Sequence, residues 1–120
     1  MKILCVCTSG KDRSPIMAEY LRERGHDSYA VGINEYFTEK NNTQLIMPSD
    51  LLFADKILVV SSIHAAFIRG MLHASPVCYN DPKIIIVPLD EQRHKNMSRD
   101  EFVSWVRAVM DKKIKMIERE

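Results

Sequence analysis

Short apolar runs recur along the chain, and helix-like stretches follow them. In those stretches apolar residues return every three or four positions. The first run, Ile3-Leu4-Cys5-Val6, is continuous rather than alternating, the pattern of a strand covered on both faces. Ser14-Pro15 marks a helix start, with serine as cap and proline in the first turn. Ile16, Met17, Tyr20 and Leu21 share one helical face, and Gly25 ends that helix. Ser28-Tyr29-Ala30-Val31 predicts a second strand closed by Gly32. Lys56-Ile57-Leu58-Val59-Val60 is the clearest strand, and Lys83-Ile84-Ile85-Ile86-Val87, stopped by Pro88, is the fourth.

Helical patterns fill most of the space between. Ser49 is expected to cap a short helix through Ala54, and Ser62 a longer one carrying Ile63, Phe67, Ile68, Met71 and Leu72. Ser98 and Glu101 form a capping-box pair ahead of a helix with Phe102, Val103, Val106, Val109, Met110, Ile114 and Ile117 on one side. Lys112, Lys113 and Lys115 lie toward its C-terminus, where cations suit the helix dipole. From Asn34 to Met47 the chain is polar and holds Asn41-Asn42, so a long loop is expected there. The repeated βα order predicts an α/β domain, an open four-stranded parallel sheet with helices on both faces. In such sheets the ligand sits outside the carboxyl ends of the strands.

Composition narrows the classes. With 120 residues, 46% hydrophobic and 28% charged, the whole chain 1–120 is expected to be one domain with one core. A formal net charge of +1 gives no electrostatic reason for a nucleic-acid or membrane-surface partner. No apolar run approaches the ~20 residues of a membrane span, and the N-terminal apolar stretch is too short for a signal peptide. Three cysteines form no disulfide framework. His26, His64, His73 and His94 have no zinc spacing with each other or with the cysteines, so neither metal nor cofactor is expected. A cytoplasmic, reducing environment fits this profile; oligomeric state is left open.

The candidate chemistry lies where the first strand ends, in Cys7-Thr8-Ser9-Gly10-Lys11-Asp12-Arg13-Ser14-Pro15. A loop of this length running into a helix N-terminus aims successive backbone N–H groups at one point, and the helix dipole favours an anion there. The same field favours a thiolate at Cys7. Arg13 offers a planar fork for two phosphate oxygens. The Ser14 hydroxyl can donate to the thiolate and keep it a good leaving group. Thr8, Ser9, Gly10, Lys11 and Asp12 would then line the substrate, and covalent catalysis through phosphocysteine is the natural reading. Cys5, on the buried strand, reads as core packing, and isolated Cys78 as inert. Gly10-Lys11-Asp12 lacks the first glycine and the Ser/Thr of a nucleotide P-loop.

The sequence resembles the low-molecular-weight protein tyrosine phosphatases, and more closely a compact bacterial and phage branch of predicted phosphatases. The resemblance rests on the N-terminal apolar strand, Cys7-x5-Arg13-Ser14-Pro15, Met17-Ala18-Glu19, and Ala54-Asp55-Lys56-Ile57-Leu58-Val59-Val60. It implies hydrolysis of phosphomonoesters without metal, in two steps assisted by an aspartic acid. By the same resemblance Cys7 is the nucleophile, Arg13 the phosphate clamp and Ser14 the hydroxyl that stabilises the thiolate. Gly10 stands where the family has asparagine, and Asp12 where many members carry a second cysteine that protects the nucleophile as a disulfide.

Asp90 follows the fourth strand at its carboxyl end, so it is the expected general acid, with Glu91 as the second candidate. Asp81-Pro82 matches the family's usual wording but precedes that strand, at the opposite end of the sheet. The aromatics that follow the acid in tyrosine-directed members are replaced by Glu91-Gln92-Arg93-His94-Lys95, a cationic stretch that also fits a polyanionic substrate. Tyr36 and Phe37 either line the pocket's other wall or pack on the core edge. Lys11 either adds charge at the mouth or offsets Asp12. The expected partner is a phosphorylated protein or small molecule, with inorganic phosphate as product. The alternatives are a non-catalytic phosphate- or phosphoprotein-binding module on the same fold, and an arsenate reductase, which would need two further redox cysteines where only Cys78 stands.

Overall fold

The computed structural model describes residues 1–74, 82–89 and 96–119. The element order is β1 (Lys2–Cys7), α1 (Arg13–Glu23), β2 (Asp27–Gly32), α2 (Glu35–Asn41), α3 (Pro48–Phe53), β3 (Lys56–Val59), α4 (Ser62–Ala74), β4 (Lys83–Ile86) and α5 (Arg99–Glu118). The strands form a four-stranded sheet in the order β2-β1-β3-β4, and every pairing is parallel. None of the helices among the described residues is long and apolar enough to cross a membrane.

Side-chain alternation along β1 explains its unbroken apolar run. Ile3, Cys5 and Cys7 face a core shared with Met17 and Leu21 of α1 and with Phe102, Val106, Met110, Ile114 and Ile117 of α5. Leu4 and Val6 face the opposite side, packing with Leu51 of α3 and Ala65 and Ile68 of α4. Edge strand β4 is covered less completely, and its last residue, Ile86, is exposed.

Local chemistry moved four boundaries. The expected loop 34–47 contains α2, a helix without an apolar stripe, of which only Thr38 is buried. Its ends account for it: the Asn34 side chain accepts the Phe37 N–H at 3.0 Å, and Asn42 closes it at a left-handed φ of 55°. Helix α1 begins at Arg13, with Asp12 rather than Ser14 at the cap position. Helix α3 begins before Ser49, at Pro48, because the Asp50 carboxylate accepts the Met47 N–H at 2.7 Å. Helix α4 takes its cap from Ser61 rather than Ser62: Ser61 Oγ accepts the His64 N–H at 3.4 Å.

At the amino end of the sheet, buried Lys56 donates to the carbonyls of Ile117 and Arg119 and so closes the C-terminus of α5. Nearby, Glu118 accepts from Arg24 Nη2 at 2.7 Å and lies 2.7 Å from His26 Nε2. Cys7, Arg13 and Ser14 lie at the other end, where β1 runs into α1.

Candidate active site

Cys7 is the last residue of β1, in register with Gly32, the last residue of β2, and its side chain is buried. The chain then turns through Thr8–Asp12 into α1. Three loop carbonyls are tied back to the segment after β2. Cys7 and Thr8 both accept the Ile33 N–H, at 3.1 and 3.0 Å, and Thr8 also accepts the Asn34 N–H at 3.0 Å. The Thr43 hydroxyl donates to the Ser9 carbonyl. In a trans peptide the N–H of the next residue points opposite to the carbonyl, so the amides of Thr8, Ser9 and Gly10 are turned away from β2 and α2.

Two glycines let the loop lie against the sheet. Gly10 has φ +69°, and a Cβ there would stand 2.8 Å from Gly32 N. A Cβ on Gly32 would meet the Ser9 carbonyl carbon at 2.6 Å. Gly10 belongs to the loop by sequence. Gly32 reads in sequence only as a strand end, and nothing there signals that its missing side chain makes room for the loop.

Ser14 does not cap its helix. Its Oγ lies 3.0 Å from Cys7 Sγ, and both groups are buried. Asp12, at the cap position, makes no side-chain cap hydrogen bond either, which leaves the first N–H groups of α1 uncapped beside the loop. The Arg13 guanidinium, on a residue only 4% exposed, donates from Nη1 to the Leu89 carbonyl at 2.9 Å and from Nη2 to Thr8 Oγ1 at a long 3.5 Å. These bonds use part of a five-donor fork and fix its plane.

Two residues absent from the sequence-derived site complete it. His64, buried in the first turns of α4, stands with Nε2 3.0 Å from Thr8 Oγ1 and Nδ1 2.6 Å from Ser61 Oγ. Zinc spacing was the only signal available for His64 in sequence, and its contact with a loop fifty-six positions away leaves no local trace. Leu89, buried, is drawn to the loop because the chain continues past β4 along β3: Val87 N–H donates to the Val59 carbonyl at 2.7 Å, and Leu89 N–H to the Val60 carbonyl at 3.3 Å. Asp90 and Glu91, the candidate acids, follow Leu89 directly and lie outside the described residues, as do Asp81, Cys78, Arg93, His94 and Lys95.

Two of the recesses among the described residues flank the loop. One, of about 210 Å³, runs between Thr8, Ser9, Lys11 and Asp12 on the loop and Phe37 and Asn41 on α2. Tyr36 and Phe37 are 64% and 41% exposed, their rings edge-on at 5.2 Å, so they stand out from the core rather than on its edge. Lys11 is exposed and makes no ion pair with Asp12 among the described residues. The other recess is a groove of about 580 Å³ with Arg13 and His64 beside the apolar side chains of Val60, Ile63, Ile86 and Pro88. Cys5 takes no part: its thiol lies 3.6 Å from Ser28 Oγ, and burial pushes its pKa up to about 12.

No family model and no curated protein matches this sequence. Solved structures do match. A low-molecular-weight protein tyrosine phosphatase from Streptococcus pyogenes superposes with a TM-score of 0.72 at 13% identity, over 99% of this chain and 94% of that one. The corresponding phosphatase from T. tengcongensis gives 0.68 at 16% identity, over 97% and 99%. The fold is that of the low-molecular-weight protein tyrosine phosphatases. YwlE of Bacillus subtilis also has it, in a mutant form, at a TM-score of 0.70 and 16% identity over 99% of each chain. At such identities the likeness carries the phosphatase fold alone, and the chemistry rests on the side chains.

Proposed function

We propose that this chain is a cysteine-dependent phosphomonoesterase that works without metal through a phosphocysteine intermediate. The observation that supports this best is the meeting of three groups at one loop: a buried thiol, a hydroxyl 3.0 Å from it, and a guanidinium whose plane is fixed. The fold adds a second support. A cysteine-to-serine mutant of a YwlE arginine phosphatase of the same fold carries a phosphorylated active-site serine.

In the first step the Cys7 thiolate attacks phosphorus and a P–S bond forms. The bond from phosphorus to the ester oxygen breaks, and Asp90 gives its proton to that oxygen. The negative charge on the transferring group is met by Arg13 and by the loop amides, and Ser14 donates to sulfur while it is anionic. In the second step the Asp90 carboxylate takes a proton from water, the water oxygen attacks phosphorus, and inorganic phosphate leaves with the thiolate restored. The thiolate needs a reducing compartment, which fits the cytoplasm.

The test is release of p-nitrophenol from p-nitrophenyl phosphate between about pH 5 and 8 in the presence of a chelator, beside Cys7→Ser. Turnover in the native chain and none in the variant is the expected result. Orthovanadate binding without turnover would move the function to a phosphate-binding module on the same fold.

A further inference from the structure

We infer that His64 is a positioning residue for the bound phosphate, acting through the hydroxyl of Thr8; this rests on the phosphate-binding reading of the loop. Arginine only donates, so Thr8 Oγ1 accepts from Arg13 Nη2. Thr8 Oγ1 also lies 3.0 Å from His64 Nε2, and this contact has two possible polarities. If Nε2 is bare, Thr8 spends its single proton on the imidazole and offers nothing to a ligand. If Nε2 carries the proton, Thr8 Oγ1 accepts from His64 and Arg13 together, and its own proton is available to a phosphate oxygen.

Ser61 suits the second arrangement. Its Oγ already accepts the His64 backbone N–H at 3.4 Å, and its hydroxyl proton can be given to Nδ1 at 2.6 Å. A neutral imidazole that accepts at Nδ1 must carry its proton at Nε2. The chain Ser61, His64, Thr8 then delivers one more donor to the anion and holds the outer side of the Arg13 fork. The four residues come from the start of α4, the loop after β1 and the first turn of α1, so the relay exists only in the folded chain. The chemical class it serves is a tetrahedral oxyanion with several acceptor oxygens, such as a phosphoryl group.

Titration calorimetry with inorganic phosphate on the full chain separates this from a purely structural histidine. The amide nitrogen of His64→Gln reaches the place of Nε2, whereas that of His64→Asn reaches only the place of Nδ1. His64→Gln should bind phosphate within about twofold of the native chain. His64→Asn and Thr8→Val should each bind it roughly five- to tenfold more weakly, the loss expected for one hydrogen bond. The double variant His64→Asn with Thr8→Val should be no weaker than either alone. Equal affinity in the glutamine and asparagine variants, or additive losses in the double variant, would overturn the inference. If the native chain itself bound neither phosphate nor vanadate, it is the phosphatase reading that would fall.

Discussion

Cys7 Sγ and Ser14 Oγ lie 3.0 Å apart, buried, joining the last residue of β1 to the first turn of α1 across the loop that separates them. Ser14 is the second residue of α1, inside the helix; the cap position belongs to Asp12, whose side chain makes no cap hydrogen bond. A hydrogen bond to an anionic sulfur contributes about 1.5–3 kcal/mol. Ser14→Ala is therefore expected to slow turnover of p-nitrophenyl phosphate by roughly 10- to 100-fold, with little change in phosphate affinity. Cys7→Ser should abolish turnover and keep that affinity. Steady-state kinetics beside phosphate inhibition measures both, and an unchanged rate in Ser14→Ala would remove the hydroxyl from the chemistry.

Arg13 is held as a planar fork between the Leu89 carbonyl and Thr8. Arg13→Ala should weaken phosphate binding and turnover together. Arg13→Lys should fare nearly as badly, because a single ammonium cannot reach both partners and still present two parallel donors. Full rescue by lysine would mean that charge alone, without the fork, suffices.

The acid is a matter of leaving groups. Asp90→Asn is expected to slow phenyl phosphate by about 10²–10⁴-fold and p-nitrophenyl phosphate far less, since p-nitrophenolate departs without a proton. The comparison of the two esters identifies the acid. If Glu91→Gln or Asp81→Asn shows that selectivity instead, Asp90 is not the residue.

Gly10 and Gly32 touch through their missing side chains. Gly10→Ala meets Gly32 N at 2.8 Å in a left-handed backbone, so the loop must shift. A stability loss of about 1–3 kcal/mol by urea unfolding is expected, with loss of phosphate binding. Gly32→Ala, which clashes with the Ser9 carbonyl carbon, should do the same from the sheet side. Native phosphate affinity in both variants would show that the loop does not need this close approach.

Arg24, and after it His26, hold the Glu118 carboxyl down at about 2, below its ordinary 4.5. The folded chain keeps this group ionised where the unfolded chain would protonate it. Its contribution is therefore complete above pH 4.5 and is lost as pH falls from 4.5 toward 2. Because the carboxylate and Arg24 are solvated, with side chains 30% and 43% exposed, screening by solvent keeps the effect small. Glu118→Gln should lose less stability than the native chain between pH 6 and pH 3 in urea unfolding. Parallel acid limbs would mean the pair contributes nothing.

The buried elements were legible because burial leaves a pattern. β1 and β3 read as unbroken apolar runs since both of their faces are covered, and α5 as a periodic stripe since one face is. Helix α2 looks like loop in the sequence because it buries almost nothing, and its signal lies in two asparagines at its ends. Ser14, Ser49 and Ser62 all carry the same residue preference for caps. Ser14 is engaged with Cys7, and Asp50 and Ser61 supply the capping bonds at α3 and α4.

The sequence by itself determined the α/β order, the parallel sheet and the loop with Cys7, Arg13 and Ser14, because each depends on residues near one another along the chain. Hydrophobic period, turn chemistry and a short spacing all survive in one dimension. Only the tertiary structure decided that His64 stands on Thr8, that Gly32 clears space for Gly10, and that Leu89 presents its carbonyl to Arg13. Those contacts join residues whose separation in sequence carries no energetic meaning. They come about because parallel strands deliver all their carboxyl ends to one edge of the sheet, where a buried polar group must find whichever partner the packing brings.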